Sequence, residues 1–194
     1  MSNYNFITDR LAIGNVASRA VPGFVAVVSI LATDRPGTLA CELTGAPEIP
    51  NSIIVEPGRV YYYLVHDTES LSGLPVLHID LADGEGHYLG APLKPDGSRV
   101  PSRGLEDYLD DAVMFIADQL ANGCVLVHCG AGLSRSVSVV IAYLCRYAGM
   151  SYSEALSLVK ARRPGAAPAD CFKLAIERWL NLKDLTSKGP RPDA

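Results

Sequence analysis

A long hydrophobic run is missing from this sequence. The longest largely apolar stretch, Phe24 to Ala32, is too short for a helix that spans a bilayer. The first five residues also lack the basic cluster followed by an apolar segment that a secretory signal requires. We therefore expect neither membrane insertion nor secretion.

Positive charge is not in excess. Lysine and arginine number 17 against 21 aspartate and glutamate residues, which gives a net charge of −4. Because binding to the phosphate backbone of DNA or RNA needs a basic surface, we expect no nucleic-acid partner.

Paired cysteines and clustered histidines are also absent. The five cysteines are odd in number and lack paired spacing, which suits a reducing compartment and predicts a cytoplasmic location. The four histidines, His66, His78, His87 and His128, do not have the spacing of metal ligands. We expect no metal and no other cofactor.

The composition itself is that of an ordinary globular protein. The chain has 194 residues, of which 48% are hydrophobic and 20% are charged. This length is sufficient for one domain with a complete core. We assign residues 1–187 to that domain and residues 188–194 to a disordered tail. Nothing in the sequence indicates an oligomeric state.

Predicted strands come early in the chain and predicted helices come late. Two short apolar pieces occur within 5–13, and strands are predicted at 24–31, 60–65, 76–81 and 124–127. Helices are predicted at 105–120, 137–144 and 172–182. Another helix is predicted to begin at a capping box formed by Ser151 and Glu154 and to run through Arg162. Residues 33–58 and 82–104 are predicted to be irregular. This order predicts an α/β fold in a single domain, with a central, mainly parallel sheet flanked by helices.

The segment from His128 to Ser136 carries the most specific chemistry. It is predicted to join a buried strand to a buried helix, because apolar runs precede and follow it. The backbone N–H groups of such a loop and the helix N-terminus form an anion site. Arg135 adds a planar fork that fits two oxygens of a phosphate, sulfate or arsenate. In this field Cys129 is expected to lose its proton below its ordinary pKa.

The pattern His128-Cys129-x-x-Gly132-x-x-Arg135-Ser136 resembles the signature loop of the cysteine-dependent protein tyrosine phosphatases. Its second half, Gly132 to Ser136, is most similar to the dual-specificity branch of that family. The resemblance covers roughly residues 5–182 and is close only from Leu105 onward. It implies that the two apolar pieces within 5–13 form an opening hairpin.

The resemblance implies a role for each residue of the loop. Cys129 would be the nucleophile, and Ser136 would hydrogen-bond its sulfur and help it to leave. His128 would hold the loop and tune the reactivity of the Cys129 thiolate. The equal alternative is that His128 only packs in the core. The phosphate oxygens would be bound by Gly130, Ala131, Gly132, Leu133, Ser134 and Arg135.

A proton donor for the leaving group is expected outside the loop. The family places an aspartate just past the strand before the long amphipathic helix, and Asp83 fits that pattern as the general acid. Asp80 is the main competitor, and Asp96 is nearer the usual sequence distance from the cysteine because residues are inserted between Gly86 and Gly104. A plain turn residue is the alternative interpretation of Asp83.

The resemblance predicts a phosphatase that hydrolyses phosphomonoesters of a phosphorylated protein or peptide through a phosphocysteine intermediate. Phosphotyrosine is the expected substrate, with phosphoserine and phosphothreonine left open. One alternative is a phosphatase for a small phosphorylated metabolite, a lipid or an RNA 5′ end, and another is an inactive phosphate-binding module. The loop lacks the lysines that are typical of phosphatases of inositol phospholipids, and Ala131 and Leu133 make it less basic, which weighs against a highly phosphorylated inositol.

Overall fold

The computed structural model of the chain describes residues 3–31, 61–64, 74–79, 81 and 104–187. The strands are β1 (Tyr4–Phe6), β2 (Leu11–Gly14), β3 (Ala26–Ile30), β4 (Tyr61–Leu64), β5 (Pro75–Ile79) and β6 (Val125–Cys129). The α-helices are α1 (Leu109–Leu120), α2 (Arg135–Tyr147), α3 (Tyr152–Arg162) and α4 (Asp170–Ser187). The segments predicted to be irregular, 33–58 and all of 82–104 except Gly104, lie outside the described residues, as does the predicted tail, 188–194.

The strands form one sheet in the order β1-β2-β6-β3-β5-β4. The three inner pairings, β2 with β6, β6 with β3 and β3 with β5, are parallel, and the two outer pairings are antiparallel. Strands β3 and β6 are buried at every residue, which explains why their sequences are continuous apolar runs and do not alternate. The predicted single-domain α/β fold with a mainly parallel sheet is confirmed.

Helix α2 lies at the centre of the larger core. Nearly all of its residues from Ser136 to Cys145 are buried, which confirms the predicted buried helix. Its side chains belong to the same cluster as Val28 of β3 and Val127 of β6. Because each fully buried aliphatic side chain contributes roughly 1.5–3 kcal/mol, this packing fixes the start of α2 beside the end of β6.

The opposite face of the sheet carries a second, smaller apolar cluster. Its buried members are Ala12, Phe24, Val27, Val76 and Leu126. Since successive residues of a strand point to opposite faces, its four strand members, all but Phe24, alternate along their strands with members of the larger core. The central strands therefore pack on both sides.

The start of the segment predicted as a helix over 105–120 differs from the prediction. A 3-10 turn covers Leu105–Asp107, and α1 begins only at Leu109. A 3-10 turn aligns residues i and i+3. This geometry places Leu105 and Tyr108 together in the core, where they are 1% and 2% exposed.

The last two helices follow their sequence signals closely. The capping box of Ser151 and Glu154 opens α3 as predicted. Helix α4 extends beyond the predicted 172–182 at both ends. Its additional first turn contains Asp170, an acidic residue that favours a helix N-terminus. Within the described part of the chain, no helix combines the length and apolarity needed to cross a bilayer.

Candidate active site

Strand β6 brings Cys129 to the carboxyl edge of the sheet, and α2 starts at Arg135. Open α/β sheets bind ligands at the carboxyl ends of their strands. The loop of residues 130–134 therefore lies where a ligand is expected, between a strand fixed on both sides and a buried helix.

Every carbonyl group of this loop accepts a hydrogen bond from a donor outside the loop. The pairs, donor first, are Val16 N with Gly130 O (3.1 Å), Arg163 Nη2 with Ala131 O (3.3 Å), Arg163 Nε with Gly132 O (2.7 Å), Ala167 N with Leu133 O (2.8 Å) and Ser138 N with Ser134 O (2.9 Å). Hydrogen-bond donors outside the loop thus hold it on the side to which its carbonyl groups point.

The orientation of the carbonyls fixes the orientation of the amides. In a planar trans peptide unit, the N–H of the next residue points opposite to the C=O. The N–H groups of residues 131–135 therefore point away from the outer donors and into the loop. One of them, the Gly132 N–H, donates to the sulfur of Cys129 at 3.2 Å.

Gly132 is required by both its conformation and its surroundings. Its φ of 72° lies in the left-handed region that side chains disfavour. A Cβ at this position would also collide with the carbonyl oxygen of Gly14 and lie 2.7 Å from Arg163 Nη2. The loop can therefore approach β2 only with glycine at this position.

Cys129 is buried, at 1% exposure, and several donors converge on its sulfur. Burial by itself raises the pKa of a thiol. The Ser136 hydroxyl at 3.3 Å, the Ser136 and Gly132 backbone N–H groups and the positive charge of Arg135 act against burial and hold the pKa of Cys129 below its ordinary value. The site thus favours a thiolate in a pocket of N–H donors.

Arg135 joins the loop to a distant part of the chain. Its Nη1 donates to the carbonyl oxygen of Leu81 at 3.0 Å. A guanidinium carries five N–H donors, more than this contact uses. Leu81 is the last described residue before Asp83, the predicted acid. Asp83 and the two competing aspartates, Asp80 and Asp96, lie outside the described residues.

His128 lies on the other face of the sheet from the Cys129 sulfur. Its position is in register with Ser29 of β3, which in turn is in register with His78 of β5. Burial, and next the positive charge of His128, lower the pKa of His78 to about 3. His128, Ser29 and His78 thus form a row of buried polar side chains on the face of the sheet opposite α2.

The structure therefore brings together Cys129, the loop of residues 130–134, Arg135 and Ser136. Arg163 is the site residue that the sequence analysis missed. It is 7% exposed and makes two of the hydrogen bonds to the loop. In the sequence it stands between the end of a helix and a proline, where an arginine is ordinarily exposed. No group of three or more potential metal ligands occurs within the described residues.

Solved structures share this fold. The human tyrosine phosphatase-like serine/threonine/tyrosine-interacting protein matches with a TM-score of 0.61 and 21% identity, over 93% of this chain and 97% of that one. Human DUSP28 matches with a TM-score of 0.62 and 17% identity, over 95% of this chain and 97% of that one. Similarity at these identities concerns the fold alone.

Curated relatives match over shorter parts of their own length. Human dual specificity protein phosphatase 9 is 36% identical over 110 residues, which are 55% of this chain and 28% of that protein. A probable dual specificity protein phosphatase of Dictyostelium discoideum is 28% identical over 177 residues, which are 91% of this chain and 37% of that protein. The chain thus spans well under half the length of these relatives.

A family model also matches the chain. It is that of the dual specificity phosphatase, catalytic domain, and it matches residues 74–181, from β5 to α4. The matched range includes the whole loop from Cys129 to Ser136. The chain therefore belongs to the dual-specificity branch of the protein tyrosine phosphatase family.

Proposed function

We propose that the protein is a phosphatase that hydrolyses phosphomonoesters of phosphorylated proteins or peptides through a phosphocysteine intermediate. Phosphotyrosine is the primary substrate of this proposal, and phosphoserine and phosphothreonine are the further ones. Its family membership supports the reaction class. The observation that carries it is the loop, in which the carbonyls of residues 130–134 are all held outward while the Cys129 sulfur receives hydrogen bonds from within.

The proposed first step is attack of the Cys129 thiolate on phosphorus. As the new bond forms, negative charge is carried by the three non-bridging oxygens of the phosphoryl group, and N–H donors already in place stabilise it without reorganisation. The inward amides of residues 131–135 and the guanidinium of Arg135 are these donors. Their orientation, fixed by the outward hydrogen bonds of the loop carbonyls, supports a preorganised site.

Asp83 is the proposed general acid, which protonates the leaving oxygen as the phosphorus–oxygen bond breaks. The contact of Arg135 with Leu81 supports this assignment over Asp96, since only Ala82 stands between Leu81 and Asp83 in the sequence. In the second step a water molecule attacks the phosphocysteine, and the sulfur leaves as a thiolate.

Ser136 and His128 have indirect roles in this proposal. The Ser136 hydroxyl, 3.3 Å from the sulfur, stabilises the thiolate when it leaves in the second step. His128 supports the loop from the opposite face of the sheet, so that its influence on Cys129 passes through the backbone of β6. Neither residue acts as a base.

We place this reaction in the cytoplasm. The described cysteines, Cys124, Cys129, Cys145 and Cys171, form no disulfide with one another, which is consistent with a reducing compartment. A thiolate nucleophile also needs such a compartment to stay reduced. The partner in this proposal is the phosphorylated protein itself.

Turnover by the purified full chain on a panel of substrates tests the proposal. The panel contains peptides with phosphotyrosine, phosphoserine or phosphothreonine, a phosphoinositide, a nucleotide and an RNA with a 5′ phosphate. We expect the highest kcat/KM on phosphotyrosine peptides and no activity in Cys129→Ser. A preference for the RNA, lipid or nucleotide would replace the protein substrate, and binding of all phosphates without turnover would show an inactive module.

A further inference from the structure

Arg163 is a buried cation that lies outside the signature loop. It directly follows α3, and burying a guanidinium is costly unless its N–H groups are hydrogen-bonded. Here Nε donates to Gly132 O at 2.7 Å and Nη2 donates to Ala131 O at 3.3 Å. The side chain therefore binds two consecutive carbonyls of the loop.

The third nitrogen of Arg163 contacts the N-terminal hairpin. Its Nη1 donates to Oδ1 of Asn5 on β1 at 2.7 Å. All three acceptors are neutral oxygens, so these contacts do not neutralise the positive charge of Arg163. Burial lowers the pKa of Arg163, and the negative charge of Cys129 raises it, so the two groups interact electrostatically. A full positive charge thus lies behind the loop.

The same hairpin contacts the loop at two further points. The Val16 N–H, just after β2, donates to Gly130 O at 3.1 Å. The carbonyl of Gly14 lies so close to Gly132 that no side chain fits there. The hairpin, Arg163 and the loop are therefore one connected support.

We propose that Arg163 is a positioning residue for the hydrolysis and that Asn5 acts through it. Arg163 fixes the peptide units after Ala131 and Gly132 so that their N–H groups face Cys129. Its charge stabilises negative charge on the sulfur and on a bound oxyanion, and Asn5 orients the guanidinium. The inference rests on the proposed function, but the state of the loop is measurable without turnover.

Arg163→Lys in the full chain is the first test. Lysine keeps the charge but cannot bind two carbonyls as a planar fork does. We expect the pH at which iodoacetamide alkylates Cys129 to move upward. We also expect the affinity for inorganic tungstate to fall about tenfold, the scale of losing a hydrogen bond to a charged group. Arg162→Lys, the exposed neighbour at the end of α3, is the matched control and should leave both unchanged.

Asn5→Ala keeps the test decisive if Arg163→Lys does not fold. It removes one contact at the edge of the sheet and should shift the alkylation profile in the same direction by less. In the Arg163→Lys background it should add no further shift, because residues that act in series are not additive.

A folded Arg163→Lys variant with an unchanged alkylation profile and tungstate affinity would overturn the proposal. An Asn5→Ala variant with an unchanged alkylation profile would overturn the role assigned to Asn5. If Arg163→Lys does not fold, the same result would overturn the whole proposal. Failure of the proposed function would look different. The wild type would then show a low alkylation pH and bind tungstate but would turn over no phosphate ester.

Discussion

Arg135 donates a hydrogen bond of 3.0 Å to the carbonyl oxygen of Leu81, although 54 positions separate them in the sequence. This contact joins the residue proposed to bind the phosphate to the segment that leads into the proposed acid, Asp83. Phosphate binding by Arg135 and proton donation by Asp83 can therefore depend on each other through the backbone at Leu81.

Asp83→Asn should slow the hydrolysis of alkyl and peptidyl phosphates far more than that of an aryl phosphate with an acidic phenol. A general acid matters in proportion to how poor the leaving group is. The variant should also lose the decline in rate at high pH, where the wild-type acid deprotonates. The measurement is kcat/KM against pH for a series of leaving groups.

Asp80→Asn and Asp96→Asn are the controls for that series. We expect neither of them to show a dependence on the leaving group. Such a dependence in one of them, with none in Asp83→Asn, would move the acid to that position. Equal slowing of all leaving groups by Asp83→Asn would indicate a structural role for Asp83.

Arg135→Lys should lower kcat/KM for a phosphotyrosine peptide at least about a hundredfold, the scale of removing one donor from an oxyanion site. Lysine keeps the charge but offers a point ammonium in place of a planar fork. Arg146→Lys, at the exposed end of α2, should be near wild type. Near-normal kinetics in Arg135→Lys would mean that the phosphate binds elsewhere.

Ser136→Ala should slow the second step more than the first. The hydroxyl lies 3.3 Å from the sulfur and stabilises it as the thiolate that must leave. We expect a burst of released alcohol followed by a slower steady state, as the phosphoenzyme accumulates. Ser157→Ala, on the exposed surface of α3, is the matched control. A slower first step without a burst would assign Ser136 to nucleophile activation alone.

His78 should make the folded protein less stable in acid. Its pKa in the folded state is about 3 against 6.5 in the unfolded chain, so only the unfolded state binds a proton between these values. The free energy of unfolding should therefore fall as the pH falls below 6.5, by about 1.4 kcal/mol per pH unit from this residue.

Urea unfolding at a series of pH values measures this slope. His78→Leu should flatten it, because the variant has no titrating group at this position. Ser29→Ala, the neighbour in register, should change stability without changing the slope. A wild-type slope retained in His78→Leu would show that other groups cause the acid sensitivity.

The site could be predicted from the sequence where its residues are contiguous. Cys129, Arg135 and Ser136 occur within one strand–loop–helix unit, and the apolar runs on either side fix its orientation. Strand β6 and helix α2 were therefore predicted together with the chemistry between them. Neighbouring side chains of a strand point to opposite faces of the sheet, so the face on which His128 lies can be predicted only once the face of Cys129 is known.

The supports of the loop could not be predicted, because they come from distant parts of the chain. Arg163 is 31 positions from Gly132 and 158 from Asn5. No local pattern distinguishes it from the exposed Arg162 beside it. The acid is uncertain for a related reason, since the inserted residues between Gly86 and Gly104 disturb the spacing on which its assignment depends.

The proposed reaction depends on attack of the Cys129 thiolate on phosphorus. Rapid acid quenching of the wild type during turnover of a phosphotyrosine peptide, followed by peptide mass spectrometry, detects the intermediate that this attack forms. We predict one added phosphoryl group on the peptide that contains Cys129, and neither this adduct nor turnover in Cys129→Ser. Turnover by Cys129→Ser, or a phosphoryl group trapped on another residue, would contradict the account.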